Sequence, residues 1–93
     1  MKRVKVLTLG EVVFSLSGRD AGRFYLVVEI VDDEYVLIAD GNLRRVDSPK
    51  KKKIKHLKTE GVTIDKIKEK LEQNKKLFDA EVKSALRPYN GSM

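Results

Sequence analysis

The chain has 93 residues, no cysteine, and 20 Lys+Arg against 14 Asp+Glu, for a formal net charge of +6. That length makes one domain with room for a small appendage, and the missing thiols exclude a disulfide framework and a thiolate metal site. No apolar run approaches the ~20 residues of a membrane helix, and the basic start, Met1–Leu7, meets Gly10 and Glu11 too soon for a secretory signal, so a cytoplasmic protein is expected.

Residues 1–9 alternate for only a few positions (Val4 and Val6 against Arg3 and Lys5) and read as a ragged lead-in. Residues 11–15 form the first firm strand, ended by Ser15 and Ser17. The stretch from Ser15 to Arg23 is a polar loop punctuated by Gly18 and Gly22, the residues a tight turn needs where φ is positive. Residues 23–32, rich in β-branched and aromatic side chains, form a long second strand. Asp32-Asp33-Glu34 is an acidic turn, and Tyr35–Ala39 is a nearly continuous apolar third strand, expected to be central to the core. Asp40-Gly41-Asn42 is a further turn. Leu43–Val46 reads as a fourth strand broken by Ser48-Pro49, and Lys53–Leu57 as a fifth. Five short strands joined by brief turns predict a mainly β fold, a small and strongly bent antiparallel sheet or barrel.

Past residue 59 the pattern changes to helix. Thr63 can cap a helix that starts at Ile64-Asp65. Ile64, Ile67 and Leu71 recur at helical spacing, and Phe78, Val82 and Leu86, with Leu77 and Ala85 beside them, extend the stripe. Asn74 interrupts it, which leaves one long helix or two helices meeting there; Pro88 and Gly91 close the segment. The stripe is expected to pack on the barrel, with a partner-docking surface as the other reading. The resulting division is a barrel over 1–59 and a helical appendage over 60–93.

No phosphate-loop, dinucleotide or nucleophile-elbow pattern occurs, and no histidine and acid have zinc spacing. The single histidine, His56, sits between Lys55 and Leu57 with no partner for acid–base work. Asp32, Asp33 and Glu34 lie on a turn without a second ligand cluster. The sequence therefore supports neither an enzyme nor a metal site, and implies no cofactor and no small-molecule substrate.

The charge is unevenly placed. Arg44 to Lys58 holds eight basic residues and a single acid, Asp47, while the rest of the chain is close to neutral. Such a concentration is the footprint of a polyanion binder, although charge alone does not separate RNA from DNA, an anionic membrane or an acidic protein. Arg19 and Arg23 on the glycine loop offer directional guanidinium contacts to phosphate, and a merely solvated turn fits the same residues. The run Lys50, Lys51, Lys52, Lys53 offers non-directional charge. Most aromatic residues lie in apolar runs that look like core, so shape and phosphate contacts to folded RNA fit better than base stacking.

The stretch Gly10–Arg23, with the Val27-Val28 strand after it, resembles a KOW motif. The order continues through Tyr35–Ile38 and Arg44-Arg45 to Lys53-Ile54-Lys55-His56-Leu57, which is similar to the archaeal and eukaryotic large-subunit ribosomal protein fourteen family and its small bacterial KOW relatives. The likeness covers residues 8–58 well and the helical tail more loosely. It departs between Ala39 and Val46, where this chain has only a short turn, a feature that favours the bacterial relatives. The resemblance implies an SH3-like barrel that binds RNA, with the Gly18–Arg23 loop near the RNA and Gly22 as the motif's characteristic glycine. The expected protein is an RNA-binding, ribosome-associated one, with ribosomal RNA and ribosomal proteins as partners and no membrane. Its expected RNA-binding residues are Ser17, Gly18, Arg19, Asp20, Gly22 and Arg23 in the loop, then Arg44, Arg45, Lys50, Lys51, Lys52, Lys53, Lys55 and His56. The alternative is a protein-interaction module docking on a translation or transcription factor.

Overall fold

The computed structural model describes residues 6–91, so most of the basic lead-in lies outside the described residues. The strands are β1 (Glu11–Ser15), β2 (Phe24–Ile30), β3 (Tyr35–Ala39), β4 (Lys50–Lys53) and β5 (Leu57–Thr63), followed by helices α1 (Asp65–Glu72) and α2 (Asp79–Asn90). They form one antiparallel sheet in the order β4-β3-β2-β1-β5. A 3-10 turn over Ile54–His56 joins the two edge strands, the connection of an SH3-like barrel. Its Ile54 N–H donates to the Glu34 carbonyl at 2.8 Å, and its His56 carbonyl accepts from Leu16 N–H at 2.9 Å. Register shifts between Glu11 and Val13 and between Val27 and Glu29 bend β1 and β2.

β1 and the first half of β2 are buried on both faces. Val13, Tyr25 and Val27 point into the barrel with Leu7, Val36, Ile38, Ile54 and Leu57. Val12 and Leu26 point outward and pack against Ile67, Leu77, Val82 and Leu86. Adjacent residues of a strand face opposite ways, so the apolar pairs Val12-Val13 and Leu26-Val27 each serve one core on each side. Burial of a side chain of this kind is worth about 1.5–3 kcal/mol. The helices are therefore the second layer that makes β1 and β2 affordable as continuous apolar strands.

Several expectations are corrected here. Leu43–Val46 is not a strand. The Asp40 carboxylate accepts from Asn42 N–H at 2.9 Å and Arg44 N–H at 2.8 Å, and the Asp79 carboxylate takes Val46 N–H at 2.7 Å, so side chains consume the donors a ladder would use. The lysine run is the fourth strand instead, pairing with Tyr35–Ile38. Lys53–Leu57 divides between the end of β4, the 3-10 turn and the start of β5. β3 is not uniformly buried: Tyr35 and Leu37 are half-buried while Val36 and Ile38 are fully buried. Thr63 ends β5 rather than capping α1, whose preceding residue is Ile64.

Of the two helical alternatives, the two-helix one is realised. Asn74 takes a left-handed φ of 55°, and Lys75 N–H donates back to the Lys70 carbonyl at 2.8 Å. Leu77 is buried in the helix–sheet core, whereas Phe78, expected on the same stripe, stands 53% exposed at the start of α2. The Glu81 carboxylate accepts from Phe78 N–H at 3.0 Å and from the Lys70 ammonium; that lysine bond, with the N–H, holds its carboxyl below the usual value. Pro88 lies inside the last turn of α2, and Gly91 N–H closes the helix on the Arg87 carbonyl at 2.8 Å. The end of α2 is fastened to β2: the Asn90 amide accepts from Phe24 N–H and donates to the Phe24 carbonyl, both at 2.9 Å. Tyr89 adds a ring contact to Phe24 at 5.3 Å.

Gly41 is where the β3–β4 turn meets α2. Its φ is +78°, and a Cβ there would lie 2.3 Å from the Asp79 carbonyl oxygen. Gly41→Ala is expected to cost about 2 kcal/mol or more, from left-handed strain plus a backbone clash. Gly61→Ala, at φ +70° with no atom near the new Cβ, is expected to cost about 1 kcal/mol. Denaturant midpoints of the two variants measure the difference, and equal losses would refute the close approach at Gly41.

Candidate nucleic-acid interface

The loop between β1 and β2 is built around one carboxylate. Asp20 Oδ1 accepts from Lys52 Nζ at 2.7 Å and from the Ser15 hydroxyl at 3.1 Å. The same ammonium donates to the Ser17 carbonyl, and the Tyr25 hydroxyl donates to the Asp20 carbonyl at 3.1 Å. Gly22 N–H bonds the Ser15 carbonyl at 2.9 Å, and Ala21 N–H the Gly18 carbonyl at 3.2 Å. Gly18 takes a φ of +84°, and a Cβ there would meet the Lys52 ammonium at 3.0 Å. Burial pushes the Asp20 carboxyl up, but the hydrogen bond and charge of Lys52, with the Ser15 hydroxyl and the backbone, together hold it below the usual carboxylate value. Burial, then the nearby Asp40 and Asp20 carboxylates, push the Tyr25 hydroxyl up, which keeps it a neutral donor.

A second carboxylate holds the β3–β4 turn. Asp40, whose side chain is fully buried, pairs with Arg23 at 3.3 Å while gathering the N–H groups of Asn42 and Arg44. Arg23 and Lys52 thus serve to hold the two loops in place, and their cations are internally compensated.

The alternation of a strand decides the fate of the lysine run. Lys50 and Lys52 stand opposite Ile38 and Val36, whose side chains fill the barrel, and Lys51 and Lys53 stand opposite Leu37 and Tyr35 on the other face. Lys52 is consequently buried. Lys51 and Lys53 lie over the half-buried Tyr35 ring, at 4.7 and 5.8 Å from its centroid. Lys50 is exposed at the edge, and Lys55 is exposed on the 3-10 turn beside a half-buried His56.

Arg19 is exposed at the loop tip, next to exposed Gly18 and Gly22 and a half-buried Ser17. Arg45 is exposed and pairs loosely with Asp79 at 3.2 Å. Arg44 is half-buried and joins Arg19, Asp20, Tyr25 and Leu43 in lining a cleft of about 200 Å³ between the two loops. Among the described residues, Arg19, Arg44, Lys50, Lys51, Lys53 and Lys55 have no ion pair. The sequence reading did not single out Tyr35, Leu43 or the Lys52–Asp20 pair. The period-2 rule applied to the lysine run would have separated its faces, but only if the run itself had been read as a strand. Among the described residues no group of histidine and acidic side chains could hold a metal ion, and no helix is long and apolar enough to cross a membrane.

Lys52→Met would leave a buried carboxylate without its cation, a loss of about 3–5 kcal/mol at neutral pH. The sign of the pH effect is set by Asp20: its folded pKa lies below the unfolded ~3.9, so the stabilisation is present above that pH and lost as pH falls through the folded value. Wild-type stability should therefore decline at acid pH. The gap between Lys52→Met and wild type should narrow there, because the orphaned carboxyl takes up a proton. Urea titrations at neutral and acid pH test this, and a pH-independent gap would contradict it.

No family model matches the sequence. Individual relatives do. A 35-residue stretch, 38% of this chain, is 54% identical to large ribosomal subunit protein eL14 of Pyrobaculum arsenaticum and to that of Pyrobaculum islandicum, covering 34% of each relative. The chain thus spans, in these local matches, about a third of the relatives' length. The protein of the same name from Pyrobaculum calidifontis aligns far more fully, with 36% identity over 83 residues that cover 89% of this chain and 74% of the relative. At that identity and coverage the chain belongs to the eL14 family of large ribosomal subunit proteins.

Proposed function

We propose that this protein binds structured ribosomal RNA as a component of the large ribosomal subunit, using the loop end of the barrel and the lysines that β4 leaves outside the core. Membership of the eL14 family supports the ribosomal part of this reading. The observation that carries the RNA contact is the sorting of the cations. Arg23 and Lys52 are neutralised inside the fold, while Arg19, Arg44, Lys50, Lys51, Lys53 and Lys55 gather at the loop tip and along residues 44–55 and, like Lys58 and most cations of the helical tail, have no ion pair among the described residues. Keeping so many uncompensated cations on a small domain costs self-repulsion, which a polyanion relieves.

The division of labour follows from chemistry. Lys50, Lys51, Lys53 and Lys55 act as point charges that displace condensed counterions from phosphates. Arg19, at the tip of a loop whose shape is set by buried bonds, and Arg44, on a turn set by Asp40, present guanidinium groups in defined positions and orient the RNA. Ser17, Gly18 and Gly22 let the RNA backbone approach the loop, and Arg45 and His56 flank the contact. Asp20, Arg23 and Lys52 act from inside by keeping the loops in register.

Two outcomes are expected. Wild-type protein travels with the large subunit in co-sedimentation at low salt; staying at the top of the gradient at both low and high salt would overturn the ribosomal reading. In RNA-binding titrations, Lys50→Gln with Lys51→Gln and Lys53→Gln should flatten the dependence of log affinity on log salt by roughly 2 to 3. Arg19→Ala should weaken binding with a smaller change of slope. An unchanged slope for the triple variant would count against β4 as the phosphate-contacting strand.

A further inference from the structure

The cleft between the β1–β2 loop and the β3–β4 turn has a construction that phosphate binding alone does not explain. Its inner wall is made of Asp20 and Tyr25, 4% and 0% exposed. Its outer residues are Arg19, half-buried Arg44 and Leu43, an apolar side chain 62% exposed. We propose that this cleft takes one unpaired nucleotide of the bound RNA, with its base inward against Leu43 and its phosphate between Arg19 and Arg44. The proposal deepens the RNA-binding reading above and rests on it.

Size, polarity and satisfaction all favour one base. A cavity of about 150 Å³ accommodates a benzene ring, so about 200 Å³ has room for a single base and none for a paired one. Asp20 Oδ2 is buried and has no hydrogen-bond partner in the protein, although Oδ1 of the same carboxylate is fully engaged. A buried acceptor left unmade carries a desolvation cost, which a donor on the edge of an inserted base would offset. Leu43 supplies an apolar face for the base plane, and neither arginine has an ion pair among the described residues. An apolar wall, an unsatisfied buried acceptor on a lining residue and cations for the backbone are what a pocket for an extruded base can use, and unpaired bases are the positions at which RNA sequence is read. The two walls are rigid for stated reasons: Lys52 and Ser15 hold Asp20, and Asp40 holds the turn that carries Leu43 and Arg44.

The test compares two fluorescent RNA hairpins of identical stem, one with a single-nucleotide bulge and one without, by anisotropy at one salt concentration. Wild-type protein should bind the bulged hairpin about tenfold more tightly, the order of one base contact. Leu43→Ser, at an exposed turn position, should bring that ratio close to one while leaving affinity for the unbulged hairpin unchanged. The Lys50→Gln, Lys51→Gln, Lys53→Gln variant should weaken both hairpins and keep the ratio. Equal binding of both hairpins by wild type, or a ratio unaffected by Leu43→Ser, would overturn the nucleotide pocket and leave RNA binding standing. Binding of neither would overturn both.

Discussion

A lysine ammonium and an aspartate carboxylate, both withdrawn from water, hold the loop end of this barrel together. The side chains of Lys52 and Asp20 are 8% and 3% exposed. Removing two charges from solvent is costly, and their attraction compensates only when the remaining bonding capacity is used. Here it largely is: Lys52 also bonds the Ser17 carbonyl, and Asp20 also accepts from Ser15. The pair links the β1–β2 loop to β4, an edge strand with no ladder contact to either β1 or β2 in the sheet order. Opening the loop would strand a buried cation, so the pair ties loop and edge strand together.

Arg23 and Asp40 repeat the device one strand over, tying the start of β2 to the end of β3. Asp40 then uses its other oxygen to shape the turn that carries Leu43 and Arg44. One buried and one partly buried ion pair therefore set two neighbouring loops, and the cleft between them inherits its shape from both. This explains why a chain so rich in basic residues withholds two of them from its surface. On the RNA-binding reading, those two position the cations that remain outside.

The helical layer solves a different problem. β1 and β2 are apolar on both faces, which a lone small barrel cannot hide. α1, α2 and their connection cover the outer face through Ile67, Leu77, Val82 and Leu86, and Asn90 clips the end of α2 to the Phe24 backbone. Because Gly41 allows α2 to approach the β3–β4 turn closely, the helices also press on the loop end of the barrel. Fold and candidate interface thus share a support, and the eL14 relationship extends over barrel and helices alike.

What could be read from the sequence alone was whatever depends on near neighbours along the chain. The period of β1, β2 and β3, the acidic turn in which Asp32 accepts the N–H groups of Glu34 and Tyr35, the glycine loop and the break at Asn74 all follow from local side-chain chemistry. The mainly β fold with a helical tail follows from their order. Contacts between distant residues were hidden, because identical residue types take opposite roles according to what the fold brings near them. Leu43–Val46 looked like a strand until Asp40 and Asp79 claimed its N–H groups. Lys50–Lys53 looked like four equivalent, non-directional charges until pairing with β3 turned one face of the run inward. Lys52 and Lys51 differ by a single position and by no chemistry; only the tertiary structure, by putting Asp20 thirty-two residues away beside one and the Tyr35 ring beside the other, decided which is buried and which faces outward.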